Sequence, residues 1–81
     1  MKYYVYILKS KLKNWYYVGI SSDINSRFKA HNGKKVKSTK SYAPFDLLLT
    51  EEFKDRMSAR RREKYYKTGF GKKVKDLKIK P

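Results

Sequence analysis

Five side chains stand out by type and spacing. Tyr6 and Tyr17 sit in two short aromatic segments, Arg27 and His31 lie four residues apart, and Glu63 comes four residues after Ala59 and three before Tyr66. Phenols, a guanidinium, an imidazole and a carboxylate are the groups that hold anions, move protons and bind ions. Residues four apart share one helical face, so Arg27 and His31 would stack beside Ile24 and Phe28, the apolar pair that must anchor such a helix. Ala59, Glu63 and Tyr66 follow the i, i+4, i+7 spacing of a buried stripe. A carboxylate in that stripe is costly unless a cation or a metal ion compensates it. Taken singly, each residue also has a plainer role. The tyrosines could be half-buried strand residues, Arg27 a solvated charge, and His31 a partly protonated imidazole favoured by a helix C-terminus. Glu63 could form a surface pair with Arg60, Lys64 or Lys67.

The elements that must position these groups can be read from pattern. Tyr3 to Lys9 is aromatic and β-branched and predicts a strand; Trp15 to Ile20 predicts a second, joined to it through the polar turn Lys11 to Asn14 as an antiparallel hairpin. Alternation puts Val5 and Ile7 on one face and Tyr4, Tyr6 and Leu8 on the other. In the second strand Val18 and Ile20 oppose Trp15, Tyr17 and Gly19, so Tyr6 and Tyr17 share a face and Gly19 leaves room beside them. Ser21, Ser22 and Asp23 offer N-cap chemistry for a helix from Ile24 to His31, closed by Asn32 and Gly33. A basic loop runs from Lys34 to Ala43, and Phe45 to Phe53 is a third strand. Asp55 caps a second helix running to Lys67, Gly69 and Gly71 break the chain, and a short third helix covers Lys72 to Lys78. The fold expected is α+β, a three-stranded antiparallel sheet flanked by helices, in a single domain spanning residues 1–81.

Charge narrows the range of partners. The chain carries 22 Lys and Arg against 7 Asp and Glu, a formal net charge of +15. Self-repulsion on that scale destabilises a small fold, so a polyanionic partner is expected, nucleic acid first. The charge is grouped: Arg27 to Lys40 holds six Lys and Arg and no acid, while Asp46, Glu51, Glu52 and Asp55 fall within ten residues. Lys29, Lys34, Lys35, Lys37, Lys40, Lys72 and Lys73 are the candidate phosphate contacts. No apolar run approaches the ~20 residues of a membrane span, and no signal peptide is visible. With no Cys, disulfides and thiolate metal sites are excluded. A cytoplasmic location without a membrane partner is expected.

In order along the chain, Tyr4-Val5-Tyr6, Tyr17-Val18-Gly19, Arg27, His31 and Glu63 resemble the signature of the GIY-YIG nuclease superfamily. The likeness is to its short free-standing bacterial members and, more distantly, to the nuclease domain of the excinuclease. It extends over residues 2–78. Each motif is weak alone; five in order within so short a chain are specific. Tyr4 stands where the first signature has Gly, Ile20 where excinuclease relatives often have Lys, and no Asn follows the glutamate helix.

The resemblance implies a metal-dependent endonuclease that hydrolyses phosphodiester bonds of DNA, leaving 5′-phosphate and 3′-hydroxyl ends and acting on particular DNA structures in repair or recombination. It makes Tyr6, Tyr17, Arg27, His31 and Glu63 the catalytic set. Glu63 becomes the single protein ligand of one Mg²⁺ or Mn²⁺ ion, which keeps several waters. Arg27 would grip the scissile phosphate. His31 occupies a position where family members carry Tyr or His. Forming the Tyr17 anion at pH 7 costs ~4 kcal/mol, whereas a neutral imidazole is available there at once. His31 is therefore preferred as the base that takes the proton from water, with Tyr17 orienting that water. Targeting would fall to DNA shape, to a protein partner or to the lysine-rich tail, with the chain a monomer or weak homodimer. Two rivals share the charge: a nucleic-acid-binding module with little or no cleavage, and a small structural RNA-binding protein.

Overall fold

The aromatic and β-branched run Tyr3–Ser10 forms strand β1, which the polar turn at residues 11–14 leads into strand β2, Tyr16–Ser21. The computed structural model describes residues 2–68; the breaking glycines and the expected third helix lie outside them. Helix α1 spans Ile24–Asn32, strand β3 spans Phe45–Phe53 and helix α2 spans Arg56–Lys67. The sheet is antiparallel with β1 in the centre, in the order β2-β1-β3.

Local chemistry explains the boundaries. The Asp23 carboxylate accepts from the Ser26 N–H at 3.1 Å and opens α1; Asp55 does the same for α2, accepting from the Ser58 N–H at 2.8 Å. Gly33 caps α1 with φ −82°, and the left-handed turn falls instead on Lys34, at φ 61°. The basic loop is less open than the sequence suggests. It contains a 3₁₀ turn, Lys40–Tyr42, followed by a cis Ala43–Pro44 bond. Ser10 ties this loop to the β1–β2 turn: its Oγ donates to the Tyr42 carbonyl at 2.6 Å and accepts from the Leu12 and Lys13 N–H groups, both at 3.1 Å. Asn32 Oδ1 accepts from the Phe45 N–H at 2.6 Å and links the end of α1 to the start of β3.

The alternation expected from sequence holds, and each sheet face has its own helix. Val5, Ile7 and Val18 pack with Leu49, Ala59 and Tyr66 under α2. Tyr6 and Leu8 pack with Ala43 and Phe45, flanked by Tyr17, Ile24 and Phe28, under α1 and the loop. β3 serves both layers because its register shifts by one residue. Ile7 pairs with Leu49 but Leu8 pairs with Leu47, so Leu48 is extra. That bulge lets Phe45 and Leu49, which strict alternation would put on one face, enter opposite layers.

Candidate active site

Tyr6 stands at the centre. It is 2% exposed and lies opposite Gly19 across the β1–β2 pair. A methyl group at residue 19 would come within 2.5 Å of Tyr6 Oη and 2.9 Å of Tyr17 Cε2, so only glycine lets the two phenols share this face. Their ring centroids are 6.1 Å apart.

From α1, His31 enters the same layer. Its Nε2 is 3.0 Å from Tyr6 Oη and its Nδ1 is 2.8 Å from Thr39 Oγ1. Thr39 Oγ1 has the Val36 carbonyl to donate to, at 3.4 Å, so it is free to accept from Nδ1–H. Nε2 then carries the lone pair, and Tyr6 O–H donates to it. His31 is fully buried; desolvation first, and the Arg27 charge second, push its pKa down to about 4. The imidazole is therefore neutral at pH 7, not the partly protonated ring that a helix C-terminus alone would favour.

The ring preferred as the base thus has both nitrogens engaged and no exposed surface, and its Nε2 meets the Tyr6 hydroxyl. Burial raises the Tyr6 pKa to about 12, while the Arg27 guanidinium, interacting with the hydroxyl, pulls it back and the charges of Tyr17 and Glu63 push it up. Tyr6 thus feels Arg27, Tyr17 and Glu63 electrostatically and touches His31 directly.

Tyr17 is half-buried, with its ring centroid 5.0 Å from that of His31, and it lines an open groove of about 320 Å³ with Tyr16, Val18 and Lys67. Arg27 is exposed on α1. Glu63 projects from α2 with its side chain 14% exposed, and Lys67 Nζ meets its Oε2 at 3.0 Å. Of the three cations within sequence reach of Glu63, Lys67 is the ion-pair partner found. Among the described residues no three His, Asp or Glu cluster together. A single carboxylate, with the imidazole engaged elsewhere, would suit an oxygen-preferring ion that keeps most of its waters better than a nitrogen- or sulfur-bound metal.

Lys29, Lys34, Lys35, Lys37 and Lys40 are all exposed, as phosphate contacts must be. Lys29 and Lys35 lie apart from Arg27. Lys29, two residues on, projects about 200° round the helix from it and joins Ser26, Ala30 and Lys35 in a separate shallow concavity. Lys72 and Lys73 lie outside the described residues. Two contributors went unread in the sequence. Thr39, which sets the His31 tautomer, sits in a loop with no periodicity to mark it. Lys67 was visible as a neighbour of Glu63 at i+4, but not as a wall of the Tyr17 groove.

A chain with this sheet, this Tyr–Gly–Tyr packing and this helix-borne Arg, His and Glu belongs to the GIY-YIG catalytic domain family, which it matches over residues 2–76. It is thus a nuclease-type domain, built to meet nucleic acid. In particular, it is similar to the UPF0213 protein YazA of Bacillus subtilis, 36% identical over 78 residues that span 95% of this chain and 77% of that protein. A UPF0213 protein of Staphylococcus haemolyticus is 41% identical over 68 residues, 83% of this chain and 82% of the relative. The solution NMR structure of a UPF0213 protein from Bacillus halodurans superposes with a TM-score of 0.61 at 34% identity, covering all of this chain (100%) and 89% of that one. Among the described residues no helix is long and apolar enough to cross a membrane.

Proposed function

We propose that the protein is a divalent-metal-dependent endonuclease that hydrolyses DNA phosphodiester bonds, its whole chain forming one nuclease domain. The observation that carries this reading is the convergence on Tyr6 of four groups from three other elements: Tyr6 is bonded to His31, in ring contact with Tyr17, and within electrostatic range of Arg27 and Glu63.

Each residue then has a task. Arg27, exposed and planar, holds the scissile phosphate and neutralises charge as it builds on the oxygens. Glu63 holds the ion, which on binding lowers the pKa of water and screens the phosphate. Tyr17, on the groove wall, orients the attacking water. Tyr6 accepts a proton from that water as it hands its own to His31 Nε2; the water oxygen bonds to phosphorus, the P–O3′ bond breaks, and the departing 3′ oxygen takes a proton from solvent. Thr39 keeps the His31 lone pair pointed at Tyr6. The +15 charge supplies affinity for the backbone without sequence preference, which suits recognition of DNA shape such as flaps or branches in repair or recombination.

A second reading, nucleic-acid binding without cleavage, draws on the Glu63–Lys67 pair, which already neutralises the carboxylate. Incubating the protein with labelled flapped, branched and linear DNA, and with RNA of matched sequence, separates the two. Cleavage that appears with Mg²⁺ or Mn²⁺ and stops with chelator supports the nuclease. Salt-sensitive binding with no cleavage under any metal leaves the binding module. Preferential action on RNA would replace DNA as the substrate.

A further inference from the structure

Lys67 is the last residue of α2, and its ammonium has two possible roles within one side-chain length. It is bound to Glu63 Oε2 at 3.0 Å, and it lines the groove against Tyr16, Tyr17 and Val18. The two partners differ in freedom. The Glu63 side chain is 14% exposed and the Lys67 side chain 54% exposed. A nearly buried carboxylate needs a positive neighbour at all times, whereas a solvated ammonium on a four-carbon stem loses little by swinging away.

We propose that Lys67 is an exchangeable counter-ion: it neutralises Glu63 until a divalent ion binds there, then turns into the Tyr17 groove to contact a phosphate of the nucleic acid. This inference rests on the proposed role of Glu63 as ion ligand. Charge balance gives it content. Glu63 with Lys67 sums to zero; Glu63 with a divalent ion and a freed Lys67 sums to two positive charges in one groove. An anion arriving there relieves the repulsion, so ion and nucleic acid favour each other's binding, and the coupling is reciprocal. Lys67 is thereby a positioning residue that discourages ion loading before a phosphate is present.

Mn²⁺ binding to the intact protein alone, read from loss of the free-ion EPR signal, tests this without any cleavage assay. Lys67→Ala is expected to bind Mn²⁺ about 10-fold more tightly than wild type, on the order of one partly desolvated ion pair. Lys64→Ala removes the same charge from an exposed site next to Glu63 and is expected to gain much less. Lys67→Arg is expected to stay as weak as wild type. Equal gains in Lys67→Ala and Lys64→Ala would overturn the exchange and leave only bulk electrostatics. Glu63→Gln in the same titration separates the two levels: if it binds Mn²⁺ as wild type does, the ion-ligand role of Glu63 fails and the exchange with it. If Glu63→Gln loses binding while Lys67→Ala is unchanged from wild type, only the exchange fails.

Discussion

The two faces of the sheet bury different things. Under α2, Val5, Ile7, Val18, Leu49 and Ala59 form an apolar layer, and its fully buried phenol, Tyr66, is held by Glu51 at 2.9 Å and Arg62 at 3.2 Å. Under α1 the layer is built around Tyr6, His31 and Thr39, polar groups joined in one chain of hydrogen bonds. Among the described residues no buried side-chain nitrogen or oxygen lacks a partner. Apolar burial stabilises by area and tolerates imperfect fit, whereas a buried polar chain is directional and fails as a unit. The α2 face therefore holds the sheet together, and the α1 face fixes the positions of its polar atoms.

Substitutions on the two faces should separate rate from stability. The largest expected effect is on the polar side: Tyr6→Phe is expected to lower cleavage by about 10³-fold through loss of the proton path. It also leaves His31 Nε2 without its donor, at about 1–3 kcal/mol of stability, which urea unfolding would measure. On the apolar side, Ile7→Ala is expected to lose about 2–5 kcal/mol in the same unfolding experiment, while the folded fraction keeps its cleavage rate. A rate loss there matching that of Tyr6→Phe would erase the distinction between the faces. Gly19→Ala falls between them, since the added methyl must displace Tyr6 or Tyr17; about 1–3 kcal/mol of overpacking and a loss of cleavage are both expected.

The smallest effect is a pH dependence. His31 is neutral when folded, with a pKa near 4 against 6.5 for a free imidazole. At pH values between these the unfolded chain binds more protons, so stability is complete above about 6.5 and declines as pH falls towards 4. Wild-type Tm should fall across that window more than that of His31→Gln. Identical slopes would mean that the ring is not desolvated as described.

How much of this was legible in the sequence follows from which interactions are local. Strand alternation, the Asp23 and Asp55 caps and the helix ends depend on residues within a few positions, and they were readable. So was the shared face of Tyr6 and Tyr17, because parity alone fixes it. The bulge at Leu48 was not, since two separate layers compete for β3 and only the assembled sheet resolves that competition. The burial of His31 was equally hidden. Its spacing from Arg27 suggested a shared helical edge. Yet Arg27 is exposed and His31 fully buried, because Tyr6 and Thr39, 25 and 8 residues away in sequence, draw the ring into the layer. Tertiary hydrogen bonds thus place His31 in the interior, bonded to Tyr6, where helical spacing alone suggested an exposed edge.

The central claim is that Glu63, whose charge acts on Tyr6, serves as the ion ligand of a metal-dependent nuclease. Its most direct test is cleavage of labelled branched DNA by wild type and Glu63→Gln in Mg²⁺, with DNA binding followed in parallel by anisotropy. The expected result is metal-dependent cleavage by wild type, loss of about 10³-fold in Glu63→Gln, and binding that stays salt-sensitive and within a few-fold of wild type. Cleavage by Glu63→Gln at the wild-type rate would contradict it.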